Sequence, residues 1–313
     1  MDDKFIVSAS PHIRAPYTTQ GIMADVLIAL SPAMIVAVYF LGIRALLVTA
    51  LSVASCVFFE SAWQKLTKQP ISVGDLSAVV TGVLLAFNLP VSSPLYIPII
   101  GAFVAIIMAK QFFGGMGQNF INPALGARAV LLASFPQAMT DYSLPTVDGI
   151  SSATPLALLK AGEAVPSLMD VFIGNIGGSI GEISALALLI GLGYLLFKKI
   201  ISIKIPAIYI GTVFILTYVL GRGGMFNANP LYEIMTGGLF LGAFFMATDY
   251  STSPSTPKGE IIFALGCGIL TTVIRLYGGY PEGVSYSILI MNLAVPLIDK
   301  YTAPKPFGTV KKI

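Results

Sequence analysis

The chain has 313 residues, 56% of them hydrophobic and 11% charged, with a mean hydropathy of +0.85 and a formal net charge of +3. A water-facing domain carries roughly a quarter of its residues charged, so most of this surface is read as facing lipid, and no basic face for nucleic acid is present. Two cysteines (Cys56 and Cys267) and one histidine (His12) are too few for this chain alone to hold an iron–sulfur cluster, a metal centre or a His-ligated haem.

The first twenty residues are polar and mixed, so no cleavable signal is read there, and the first apolar stretch is expected to stay as a spanning helix. Apolar stretches then follow at 23–41, 43–60, 77–90, 95–113, 122–136, 182–198, 205–221, 231–248, 259–277 and 281–299. A crossing of roughly 30 Å of hydrocarbon needs about 20 residues. The third and fifth stretches are short for that and are expected to be tilted, broken or sheltered by neighbours. The expected fold is an all-α polytopic membrane protein with about ten transmembrane helices.

Lys65 and Lys68, Lys110, Lys198, Lys199 and Lys204, Lys258 and Lys300 fall on one side of a ten-span layout, with both termini. The other side has little beyond Arg44, Lys160 and Arg222. The positive-inside rule assigns the lysine-rich side to the cytoplasm. Thr81-Gly82 in the third stretch and Thr236-Gly237 in the eighth are each followed by a proline-containing turn, another span, and Gly-Gly (Gly114-Gly115, Gly278-Gly279). Five spans per half is odd, so such halves form two inverted five-helix repeats, with a binding site expected near their interface. The organisation read is a cytoplasmic arm at 1–22, a first membrane repeat at 23–136, an outer-side loop at 137–181, a second repeat at 182–299 and a cytoplasmic tail at 300–313.

The outer loop contains Asp148-Gly149-Ile150-Ser151-Ser152-Ala153-Thr154-Pro155. Thr154 reads as a helix N-cap with Pro155 in the first helical position, and Gly162 ends the short helix. A phosphate esterified to the Thr154 hydroxyl would meet free backbone N–H groups and the positive end of the helix dipole. On these features alone, an ordinary capped loop helix is the competing reading.

Asp148-Gly149-x-Ser151-Ser152-Ala153-Thr154 resembles the flavinylation motif of the NqrB and RnfD subunits. In that family a flavin transferase joins FMN, through its phosphate, to the last threonine. Further matches are Ser10-Pro11-His12 with Ile22-Met23-x-Asp25-Val26, and Phe113-Gly114-Gly115-Met116-Gly117-Gln118-Asn119-Phe120-Ile121-Asn122-Pro123-Ala124. Met246-Ala247-Thr248-Asp249 and Pro281-Glu282-Gly283-Val284, with Met291-Asn292 and Pro296-Leu297-Ile298-Asp299, also fit. The chain thus resembles the RnfD/NqrB family, and most of all the RnfD subunit of Rnf ion-translocating oxidoreductase complexes.

The resemblance implies a subunit of a redox-driven ferredoxin:NAD+ oxidoreductase in the bacterial cytoplasmic (inner) membrane, coupling electron flow to Na+ or H+ movement. Its share is covalent FMN on Thr154 and a second, non-covalent flavin, riboflavin. Implied partners are the flavin-bearing RnfG, the RnfA/RnfE membrane pair, RnfB and RnfC. Asn119 and Asn122, beside the glycines, suit an uncharged flavin ring; the competing reading is a turn in which Asn122-Pro123 caps the fifth span. Arg128, two turns into that span, is expected to meet an acid or a flavin phosphate, or else to snorkel to the interface. Asp25, Glu60, Glu182, Glu233, Asp249, Glu282 and Asp299 lie near span ends, where solvated caps are the ordinary reading. Asp249 and Asp299 are singled out as ion-pathway candidates because they fall in matched segments. The rival function is a secondary transporter or channel for a small solute, with no redox cofactor; the Asp148–Thr154 motif separates the two.

Overall fold

Helices occupy every one of the ten predicted stretches in the computed structural model, which describes residues 17–142, 153–221, 229–279 and 282–304. The N-terminal arm before Tyr17 and the tail beyond Pro304 lie outside the described residues. Helix α1 (Thr19–Leu41) starts where the Thr18 hydroxyl accepts the Gly21 N–H at 3.1 Å. A single residue, Gly42, at φ +80° joins it to α2 (Ile43–Leu66), a conformation that glycine adopts without steric cost. Next come α3 (Ser77–Phe87), only 11 residues long, and α4 (Tyr96–Phe103), which continues into a π-helical turn at Val104–Met108. Helix α5 (Pro123–Ser134) is capped by Asn122, whose Oδ1 accepts from the Ala124 and Leu125 N–H groups.

Short helices α6 (Pro136–Thr140), α7 (Pro155–Ala161) and α8 (Leu168–Ile173) lead to α9 (Ala185–Phe197) and α10 (Lys204–Leu220). The eighth span is broken into α11 (Pro230–Met235) and α12 (Leu239–Leu241), the second running into a π-helical turn at Gly242–Met246. Helices α13 (Pro257–Tyr277) and α14 (Val284–Thr302) complete the order. Among the described residues there is no strand, only an isolated bridge between Pro90 and Ser179. The chain is an all-α polytopic membrane protein. Thr19–Leu41, Ile43–Leu66, Tyr96–Phe113 and Pro257–Tyr277 are each long and apolar enough to cross a membrane. Ile35, Phe58, Ile215 and Leu293 are more than half exposed, as suits side chains in contact with lipid.

The short third and fifth spans are sheltered. Nine of the eleven α3 residues are buried, and α3 packs against α1, α2, α4 and α5. Its exit, Asn88-Leu89-Pro90-Val91, is also buried; there Ile180 N–H donates to the Leu89 carbonyl and Gly181 N–H to the Phe87 carbonyl, both at 3.0 Å. Irregular backbone at such depth persists only where protein groups satisfy it. A Cβ on Gly181 would lie 2.3 Å from the Phe87 Cβ, so only glycine fits.

Contacts recur between the halves. Helix α2 packs on α3 and α4, and α4 on α5; likewise α10 packs on α11 and α13, and α13 on α14, while α1 packs against α9. The helix ends sort into two sets. At one end the Tyr194 hydroxyl donates to Asp25 at 2.6 Å, Lys204 pairs with Glu260 at 3.4 Å, and the Ser255 N–H and hydroxyl donate to Asp299. At the other, Arg44 donates to the Ser92 carbonyl at 3.0 Å and Lys160 to the Gly279 carbonyl at 3.1 Å.

Candidate functional site

The first end holds a half-open cavity of about 110 Å³. Its apolar wall includes Met23, Val26, Leu84, Leu195, Phe244 and Phe245, from α1, α3, α9 and the second π turn. Polar groups enter from Ser77, Lys110, Asn119, Asn122, Thr248 and Asp249. Asn119 and Asn122 therefore stand together at one cavity. Asn122 is also the α5 cap, and its Nδ2 donates to the Met246 carbonyl at 3.4 Å. Asn119 Nδ2 donates to the Ile121 carbonyl at 3.2 Å, and among the described residues its amide oxygen receives no hydrogen bond.

Lys110 reaches this wall as one member of a buried charge group. Its Nζ lies 2.8 Å from Glu60 Oε1 and donates to the Ser77 hydroxyl at 2.7 Å, and Gln111 Nε2 donates to Glu60 Oε1 at 2.8 Å. Glu60 is 1% exposed, so it is not the solvated cap expected of a span-end acid. Neutralised and fully hydrogen-bonded, it is held where an unpaired carboxylate would be costly.

Asp249 lines the cavity and folds its own loop: its carboxylate accepts from the Ser251 hydroxyl at 3.0 Å and the Thr252 hydroxyl at 3.1 Å. Burial pushes this carboxyl up, and the two hydroxyls oppose that. Asp299 is not at the cavity. It accepts from the Ser255 N–H at 3.1 Å and from the Ser255 hydroxyl at 3.1 Å, fixing the chain that leads into α13.

Thr154 belongs to the opposite end. Its Oγ1 accepts the Ala157 N–H at 3.3 Å, Pro155 fills the first helical position, and Gly162 closes α7 at φ +73°. These are the cap, start and stop read from the sequence. Thr154 itself is buried at 3% exposure and Ala153 is exposed. Helix α7 is pinned by Lys160, which donates to the Gly278 and Gly279 carbonyls after α13. Asp148, Gly149, Ser151 and Ser152 lie outside the described residues.

Arg128 joins neither location directly. It is 7% exposed and does not snorkel; Nη1 donates to Asn88 Oδ1 at 2.8 Å and Nη2 to Glu282 Oε2. Sequence reasoning missed Arg275. Fully buried on α13, it donates to the Glu233 carbonyl and, at 3.2 Å, to the Thr236 carbonyl, with Glu233 Oε2 at 3.7 Å. The carbonyls freed where α11 ends thus meet a cation. A Cβ on Gly238, where α12 begins, would lie 3.3 Å from Glu182 Oε2, so a carboxylate stands at the N-terminal side of the break. An arginine in an apolar helix, next to a Thr-Gly-Gly break in another span, was the available signal.

A family model described as the NQR2, RnfD, RnfE family matches residues 6–308. The chain is 56% identical over 310 residues to the D component of the Na(+)-translocating ferredoxin:NAD(+) oxidoreductase complex of Acetobacterium woodii, covering 97% of this chain and 96% of that one. It is 46% identical over 320 residues to the D component of the proton-translocating ferredoxin:NAD(+) oxidoreductase complex of Clostridium ljungdahlii, with 97% and 96% covered. The D component of the ion-translocating oxidoreductase complex of Shewanella amazonensis is 35% identical over 343 residues, with 97% and 98% covered.

Proposed function

This chain belongs to the NQR2, RnfD, RnfE family, and from that premise we propose that it carries electrons through the membrane on two flavins. It is a subunit of an ion-translocating ferredoxin:NAD+ oxidoreductase complex. The finer reading is FMN esterified through its phosphate to Thr154, and riboflavin held without a covalent bond in the cavity that Asn119 and Asn122 line. FMN and riboflavin accept and pass on electrons when bound. The observation that carries the covalent assignment is Thr154 as the capped start of α7, at the end of the motif Asp148–Thr154.

The chain's own groups fit these cofactors. Oγ1 serves the cap as an acceptor, and an ester oxygen keeps a lone pair for the Ala157 N–H, so esterification and capping are compatible. Because Thr154 is buried and α7 is tied down by Lys160, the transferase acts before α7 docks. In the cavity, Asn119 offers its amide oxygen to a ring N–H, and the Phe244 and Phe245 side chains supply apolar wall. Lys110, held by Glu60, supplies a positive charge in the wall.

The lysine distribution supports a cytoplasmic placement of the cavity end and of both termini, with Thr154 on the outer side of a bacterial inner membrane. RnfG, RnfA, RnfE, RnfB and RnfC are the partners that would hand electrons to and from it. The ion moved is Na+ or H+. Expression with a flavin transferase, followed by a denaturing gel, tests the assignment: the wild-type band fluoresces and the Thr154→Ala band is dark. A dark wild-type band beside a labelled control substrate would instead favour the solute transporter.

A further inference from the structure

Two carboxylates, the buried Glu182 and the largely buried Glu282, lie around one guanidinium, Arg128, at the end of the bundle that bears Thr154. Glu282 Oε2 accepts from Arg128 Nη2. Glu182, 5% exposed, takes the Ser179 N–H on Oε1 at 2.9 Å. Its other oxygen and Arg128 Nη1 lie 3.3 Å and 3.9 Å from one point, the Cβ position of Gly238. Arg128 pairs directly with Glu282 and is the cation beside Glu182, so among these three groups one negative charge is in excess.

Among the described residues, neighbouring groups do not remove that charge. Arg275, across Gly237, is engaged by Glu233 and by two backbone carbonyls. Lys160 donates to the Gly278 and Gly279 carbonyls. Tyr142 adds a neutral phenol, and with Thr140, Ser285 and Tyr286 it lines a small cavity beside Arg128 and Glu282. Glu282 Oε1 is buried without a hydrogen bond, and the Ser179 hydroxyl lies beside Glu182 and Tyr142. A carboxylic acid O–H would supply a donor to Glu282 Oε1.

We infer that Glu182 and Glu282 form a proton-binding site, holding one proton between them against the Arg128 guanidinium. Two like charges sharing one cation in a buried site disfavour ionisation of both, and the proton belongs to the pair and not to either residue. Glu282 Cγ and Leu156 Cδ2 of α7 lie 3.5 Å and 3.8 Å from the Cβ position of Gly237. If FMN is carried on Thr154, the site lies where a proton offsets an arriving electron.

The test is infrared spectroscopy of the full-length chain in lipid nanodiscs, comparing acidic, neutral and alkaline samples in H2O and D2O. The wild type is expected to show the C=O band of a protonated carboxyl at neutral pH, lost as pH rises. Glu182→Gln and Glu282→Gln each remove that whole band, because the one remaining carboxylate then has Arg128 to itself. If one variant fails to fold, the other carries the same comparison. A band that survives both substitutions, or is absent from the wild type, overturns the inference. A band that sodium ions remove at constant pH also overturns it, in favour of a metal-ion site. These spectra do not depend on flavin at Thr154, so failure there and failure here are separately visible.

Discussion

Thr154 is a helix cap and the proposed attachment point, and both depend on one hydroxyl oxygen. As an N-cap its oxygen accepts the Ala157 N–H, and replacing such a cap by alanine costs about 1 kcal/mol. Thr154→Ser keeps both the acceptor and the hydroxyl, so that variant stays folded and retains esterification chemistry. Glu60 and Lys110 present the opposite case, a pair in which neither residue is tolerable alone. Glu60→Gln leaves Lys110 buried and unpaired, which is expected to destabilise the protein by about 3–5 kcal/mol. A thermal unfolding midpoint in detergent checks this, and the double variant Glu60→Gln, Lys110→Met should recover much of the loss. Local chemistry of the Thr154 kind is legible in the sequence, because Thr-Pro at a start and Gly162 at a stop act within a few residues. Glu60 was not legible: its partner lies fifty residues away, and at the end of an apolar span it looks like a solvated acid.

At the scale of elements, the break in the eighth span is the most informative feature. Helix α11 ends at Met235 with its carbonyls facing Arg275, and α12 begins at Gly238 beside Glu182. A cation at the C-terminal stub and an anion at the N-terminal stub are the charges that the two helix ends favour. Arg275→Met removes the donor to two buried carbonyls and is expected to destabilise the chain by at least about 3 kcal/mol, read as a lower unfolding midpoint. Arg275→Lys, with one point charge and fewer donors, should fall between. The short α3 and α5 were visible as apolar stretches below spanning length. What sheltered them was not visible, because the loop at Ser179–Gly181 that closes over the exit of α3 has no apolar pattern of its own.

For the whole molecule, ten apolar stretches were legible in the sequence, and every one holds a helix, four of them long and apolar enough to cross a membrane. The order of helix contacts recurs from one half to the other, although residue-by-residue similarity between the halves is slight; packing geometry persists where side chains have diverged. Cys56 and Cys267 are buried, so introduced cysteines report topology cleanly. Lys68→Cys is expected to react with an impermeant maleimide only from the cytoplasmic side of oriented vesicles, and Lys160→Cys only from the outer side; the reverse pattern would invert the proposed orientation.

The central claim is that this chain carries covalent FMN on Thr154, and peptide mass spectrometry tests it most directly. Trypsin cuts after Arg128 and Lys160 and nowhere between, so one peptide holds the whole motif. After maturation with a flavin transferase, that peptide should gain the mass of FMN less one water, and fragment ions should assign the adduct to Thr154. An unmodified peptide from a preparation in which the transferase labels a control substrate, or an adduct on Ser151 or Ser152 instead, would contradict the assignment.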